Sequence, residues 1–180
     1  MAWTTPPTLT DGTVLTGAHT QIWRDDLNET PAAKATTAGS FFATTGTNVI
    51  AERIPKSDYV ATGQTTSTTA TYGDLTTVGP TVTVTSGTTA LVALYAQVEN
   101  STAGGGGLMG YAVTSASAIA ATDAQALRKI SAAVSERERL SVIIFQTGLT
   151  AGSNIFTAKY TTPTGGTATF TDRRLAVIPF

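Results

Sequence analysis

The feature that most constrains this chain is strict two-residue alternation built from β-branched residues. In Thr81-Val82-Thr83-Val84-Thr85 every second side chain is apolar, the period of a pleated strand with one buried face. Ala90, Val92, Leu94, Ala96 and Val98 repeat it as a longer apolar row. Thr supplies about a fifth of all residues and suits a pleated, half-solvated surface. Charged residues make up only 13%, about half the usual share, so the surface is polar but mostly uncharged.

The same pattern predicts further strands in the second half of the chain. Leu108–Thr114, Leu140–Thr147, Ile155–Thr161, Thr167–Thr171 and Arg174–Ile178 read as strands, and 124–130 as either a strand or a helical turn. About eight short strands with regular turns predict an antiparallel β-sandwich of jelly-roll kind over 72–180. Ahead of it, 1–30 reads as an arm kept extended by Pro6 and Pro7, then a short helix from Gly17 to Glu29. Thr16 is its expected N-cap and Pro31 its stop. Ala18, Ile22, Trp23 and Leu27 fall near one stripe of that helix. The segment 31–71 reads as a hairpin, with strands at 38–43 and 49–54 around a turn at 45–48. A Thr-rich stretch, 63–71, follows it as a linker or an exposed edge strand. A helix and a hairpin this small are marginal alone, so both are expected to lean on neighbours.

Several function classes are poorly served. Net charge is −1 and the eleven basic residues are scattered, which argues against a phosphate-binding stripe and hence against nucleic acid as a partner. The chain has no Cys, so it offers neither disulfides nor thiolate chemistry. The N-terminal residues show neither the basic start nor the apolar run of a signal peptide, and no apolar run approaches the roughly 18 residues of a membrane span. His19, the lone His, has no Gly-x-Ser-x-Gly nucleophile to serve and cannot make a His-based metal site without carboxylate partners. Asp25 and Asp26 are helix neighbours that point in different directions. Gly104–Gly107 lacks the following Lys-Ser or Lys-Thr of a phosphate cradle and reads as a hairpin loop. Glu136-Arg137-Glu138-Arg139 reads as a solvated loop or strand edge that discourages unwanted pairing; a subunit contact is the alternative. Neither catalysis, cofactor nor metal is expected. A glycosidase would need paired carboxylates, and nothing in the sequence pairs Asp74, Glu99, Asp123, Glu136, Glu138 or Asp172.

Trp3 and Trp23 both lie in the first part, and Trp is enriched at interface hot spots. Trp3, Ile22, Trp23, Leu27, Phe41 and Phe42 are therefore the candidate contact residues. Packing of Trp23 under the hairpin is an equally good reading.

The opening Ala2-Trp3-Thr4-Thr5-Pro6-Pro7, with Val14-Leu15-Thr16 and the helix bearing Trp23-Arg24-Asp25-Asp26-Leu27-Asn28, resembles the start of phage virion proteins of the head-fibre, capsid-decoration and tail-fibre kind. Ala35–Ser40 with Ala51–Pro55 resembles the hairpin that follows in them, and Gly166–Phe180 their closing strands. The resemblance implies an N-terminal anchor on the particle and an exposed, trimeric C-terminal β domain, assembled in the host cytoplasm and carried on the virion surface. The partners it implies are copies of the chain itself and the major capsid protein or tail proteins. The tail-fibre alternative adds a host surface glycan, met by loops near Gly104–Leu108 and Glu136–Arg139.

Overall fold

The computed structural model describes residues 14, 16–28, 35–46, 49–69 and 71–180. They form two compact units, Met1–Ile54 together with Phe180, and Pro55–Pro179. Trp3, the Pro6-Pro7 arm, Pro31 and the expected hairpin turn residues Thr47 and Asn48 lie outside the described residues.

The first unit holds a helix, α1 (Gly17–Asn28), and a hairpin, β1 (Phe41–Gly46) with β2 (Val49–Arg53). Thr16 caps α1 as expected. The His19 amide donates to Thr16 Oγ1 and the Thr16 amide to His19 Nδ1, both at 3.4 Å. This is the reciprocal exchange of a capping box with His in the acidic position. The covered face of α1 differs from the expected stripe. His19, Ile22 and Trp23 are half-buried and Asp26 is buried, whereas Ala18 and Leu27 face outward. Residues 19, 22, 23 and 26 follow i, i+3, i+4, i+7 spacing, so one polar member, Asp26, takes the place that hydropathy gave to Leu27. Antiparallel pairing runs from Phe41↔Arg53 to Thr44↔Ile50. The first strand begins at Phe41 rather than Ala38, because 38–39 turn and Gly39 takes φ +81°. Glu52 holds that turn: its carboxylate accepts from the amides of Thr36 (3.0 Å) and Thr37 (2.8 Å), from Ser40 Oγ (2.6 Å) and from Thr36 Oγ1.

Among the described residues the second unit contains nine strands. They are β3 (Lys56–Val60), β4 (Gln64–Thr66), β5 (Thr81–Ser86), β6 (Ala90–Asn100), β7 (Gly106–Ser115), β8 (Leu127–Ile130), β9 (Glu138–Gln146), β10 (Gly152–Thr161) and β11 (Ala168–Pro179). One sheet runs β5-β10-β7-β8 and the other β3-β11-β6-β9, with β4 also on β11. All of the pairings are antiparallel, and they nest: β7 with β8, β6 with β9, β5 with β10, β3 with β11. A nested ribbon divided between two sheets is a jelly roll. The core follows the alternation read from sequence. Val82, Val84, Val92, Leu94, Val98, Tyr111, Phe156, Tyr160, Phe170, Leu175 and Val177 are all buried.

Two open alternatives are resolved and two local readings differ. Of the two alternatives for 63–71, linker or exposed edge strand, the strand holds at Gln64–Thr66, which pairs with β11 as β4. The two closing strands are one strand, interrupted by a register shift between Thr171 and Arg174. Asp172 sits there at φ +53°, and the extra residue turns Arg173 inward. Residues 124–130 are both alternatives in turn, a 3-10 turn at Asp123–Gln125 and then β8. The Gly104–Gly107 run is not an open loop: Gly106 and Gly107 are buried residues of β7. A Cβ on Gly107 would stand 2.7 Å from Val98 Cγ1 and 3.2 Å from Phe170 Cζ, so tight inter-sheet packing, not flexibility, accounts for glycine there.

Candidate functional site

On the outer face of the β3-β11-β6-β9 sheet, cross-strand pairing sets Tyr95 of β6 beside Arg174 of β11, and Arg174 beside Tyr59 of β3. The bulge adds Asp172, and β9 adds Arg139 opposite Gln97. These five residues, Tyr59, Tyr95, Arg139, Asp172 and Arg174, line a recess of about 230 Å³. Tyr59 donates from its hydroxyl to Asp172 at 2.6 Å. The Arg174 guanidinium lies 4.2 Å from the centre of the Tyr59 ring, a cation–π distance. Arg139 approaches Asp172 at 3.6 Å. Tyr59 is raised above its ordinary pKa, first because its hydrogen bond to Asp172 favours the protonated phenol. The recess thus holds two cations, one anion and two phenol rings, a set that can stack on a ring and hydrogen-bond to hydroxyl or carboxylate groups.

The remaining charges are mostly tied to one another. All four residues of the Glu136–Arg139 run have partners. Glu136 and Glu138 meet Lys129 at 3.5 and 3.0 Å, and Arg137 meets Glu99 at 2.5 Å. Lys129 is buried, with its side chain 2% exposed. Glu136 also accepts from the Ala132 amide at 2.8 Å, and that bond is the first cause holding its carboxyl below the usual range. The run is exposed, as expected for a loop leading into an edge strand, and its side chains also reach β8, β6 and the β11 bulge. Two acids that sequence left unpaired, Glu136 and Glu138, converge on one ammonium. Lys159 holds Asp74 through both carboxylate oxygens, at 2.7 and 2.8 Å, and Asp123 accepts from the Tyr72 hydroxyl at 2.9 Å.

Behind the recess, Arg173 is fully buried. Its guanidinium donates to the carbonyls of Gly79 (3.3 Å) and Thr62 (3.2 Å), to Gln64 Oε1 (3.2 Å) and to the Tyr160 hydroxyl (3.4 Å). No carboxylate pairs with it among the described residues. It fastens the β3–β4 connection and the Gly79 turn to β11. Burial pushes the Tyr160 phenol up to about 12.

The candidate contact residues are divided. Ile22 and Trp23 share the covered face of α1, Leu27 is 66% exposed on another, and Trp3 lies outside the described residues. Phe41 and Phe42 are successive strand residues and so point to opposite faces of the hairpin. Phe41 meets the ring of Phe180 edge-on at 6.0 Å. The five described residues thus lie on different faces of α1 and of the hairpin. Of the two expected glycan-facing loops, the Gly104–Leu108 one is largely taken up by packing, since Gly106, Gly107 and Leu108 are buried. The other contributes Arg139 to the recess. The recess itself was missed, because its five residues come from four strands that only the pairing brings side by side. The only hint in the sequence is Asp172-Arg173-Arg174, three charged residues inside a strand pattern.

Fold and recess together define an antiparallel jelly-roll sandwich with a polar, aromatic-lined surface depression, joined to a small helix-and-hairpin unit. No family model and no curated protein matches the sequence. Among solved structures, that of Eiger TNF from S. frugiperda aligns over 71% of this chain and 92% of its own, at 9% identity and a TM-score of 0.44.

Proposed function

We propose that this chain is a structural protein of a phage particle, a capsid-decoration or head-fibre subunit. Its N-terminal region grips the particle and its sandwich is displayed outward, three copies around an axis. The observation that carries this reading is the division into two unequal units. Among its described residues the smaller holds one helix and one hairpin, elements marginal by themselves, and the larger is a closed sandwich with a full core. A part that needs a neighbour, joined to a part that does not, suits attachment at one end and exposure at the other. The likeness of the N-terminal segments to phage virion proteins supplies the particular assembly. The test is particle binding by a chain lacking the first 30 residues. Attachment should be lost while the sandwich stays folded, and retained attachment would refute the anchor.

The recess favours a second reading, a tail-fibre or tail-tip protein that binds a host surface glycan. Tyr59 and Tyr95 provide ring faces, and Arg139, Arg174 and Asp172 provide donors and acceptors. Binding on a glycan array by the full chain, abolished by Arg174→Ala, would support it. A clean negative would leave decoration as the role.

A further inference from the structure

Four cations of the sandwich, Lys129, Arg137, Arg139 and Lys159, each meet a carboxylate within 3.6 Å. Arg174 does not. It is exposed on the wall of the recess, with the Tyr59 ring 4.2 Å away, and makes neither a hydrogen bond nor an ion pair among the described residues. A ring contact holds a guanidinium without consuming its N–H groups, so all five donors are still on offer. Tyr95, the cross-strand neighbour of Arg174 on β6, is half-buried, and its hydroxyl is likewise without a hydrogen bond among the described residues. Asp172 accepts from the Tyr59 hydroxyl through one oxygen and faces Arg139 through the other. A carboxylate has about four lone-pair sites, which leaves it capacity for a further donor. Unfilled donors and an acceptor thus stand around one small depression.

We infer that the recess takes an acidic sugar, a uronic or sialic acid unit whose single carboxylate is held by Arg174. Charge fits: two guanidiniums against one carboxylate leave one positive charge in excess, which a monoanion balances. A dianion such as phosphate would carry its second charge against Asp172. Shape fits, because the planar fork of Arg matches a carboxylate through two parallel hydrogen bonds. The rest of the recess suits the rest of a sugar. Tyr95 offers a ring face to the apolar side of a pyranose and a hydroxyl to its oxygens, and Asp172 can accept from a sugar hydroxyl. At about 230 Å³ the recess lies below the roughly 300–1,000 Å³ of pockets for drug-sized ligands, which limits it to one sugar unit. The inference rests on the glycan-binding reading of this recess and adds the charge of the ligand and the residue that meets it.

The experiment is a saturation-transfer NMR titration of the full chain, wild type and Arg174→Met, with circular dichroism to establish folding. The probes are the methyl glycosides of glucuronic, galacturonic and N-acetylneuraminic acids, the methyl ester of each as its uncharged counterpart, and acetate as a bare carboxylate. At least one acidic glycoside should bind about tenfold or more tightly than its own ester and than acetate, the worth of a charge-assisted hydrogen bond. Arg174→Met should bring that glycoside down to the level of the ester with an unchanged spectrum. If Arg174→Met fails to fold, Arg174→Gln takes its place with the same expectation. Equal binding of acid and ester overturns the acidic ligand but leaves the glycan reading standing. Acetate binding as tightly as the glycoside overturns the sugar, and a preference for the acid that survives in a folded Arg174 variant overturns the role of Arg174. Silence from every probe overturns the inference, while binding of neutral sugars on the array would still uphold the glycan reading.

Discussion

The close approach of Gly107 to Val98 gives a prediction with a definite sign. Gly107→Ala would put a methyl group 2.7 Å from Val98 Cγ1, with Ala168 Cβ and Phe170 Cζ each at 3.2 Å. Carbon atoms prefer about 3.5–4.0 Å, so roughly 1 Å of overlap must be relieved inside a closed core. Overpacking of this order costs about 1–3 kcal/mol. Replacing a strand glycine returns about 0.5–1 kcal/mol, leaving a net loss of about 1–2 kcal/mol. Val98→Ala alone removes buried methyl groups and leaves a void, a loss of about 2–3 kcal/mol. The two changes are complementary in space, because the added methyl enters the volume that Val98 vacates. The double variant should therefore lose only about 1–2 kcal/mol, well short of the sum of about 3–5 kcal/mol, a coupling of about 2 kcal/mol. Urea unfolding followed by circular dichroism, which reads the strands themselves, is the suitable assay. Additivity within about 0.5 kcal/mol would show that packing against Val98 is not the reason for glycine.

Other expectations concern the buried and paired charges. Arg173→Met keeps bulk but strips the Thr62 carbonyl of its guanidinium, an expected loss of about 1–3 kcal/mol; Arg173→Ala adds a cavity and should lose about 3–5 kcal/mol, and equal losses in urea unfolding would mean that cavity volume contributes nothing. Glu52 is held down at about 2 from an ordinary 4.5, first by Ser40 and then by Thr36. A carboxylate with a lowered folded pKa stabilises above its ordinary value and ceases to do so as pH falls through the folded one. Amide exchange at Thr36 and Thr37 should therefore accelerate as pH drops from 4.5 toward 2 relative to its intrinsic rate, and Glu52→Gln should abolish that pH dependence. At Lys129 the cation is buried and its two carboxylates are half in solvent. Lys129→Met should thus lower the melting temperature less than Glu136→Gln combined with Glu138→Gln, which strands the ammonium in the core; the reverse order would show that the carboxylates, not the lysine, need the pairing.

Much of the sandwich was legible because its strands are buried on one face. Alternation in 81–85 and 90–98 fixes both the strand and the face, and the structure buries the apolar side chains in each. What alternation cannot carry is where the period slips. The Asp172–Arg173 bulge breaks a twelve-residue strand into what reads as two. Composition alone left 63–71 open between a linker and an edge strand, because Thr serves both; pairing decides for the strand at Gln64–Thr66. The glycine run misled because a hairpin loop and a crowded strand both call for glycine, and only the neighbours in space tell them apart. In α1, hydropathy favoured Leu27 where the helix buries Asp26.

β11 explains why so much rests on the last dozen residues of the sandwich. It pairs with β3, β4 and β6, carries Asp172 and Arg174 of the recess, and sends Arg173 inward to the Gly79 carbonyl. In a nested ribbon the inner hairpin β7–β8 joins segments close in sequence, whereas β3 and β11 stand at opposite ends of the unit. Closing the outermost pair brings the largest loop entropy, and its contacts can repay that only once β6 is in place to receive β11. The final strand thus completes the core and the recess in one step.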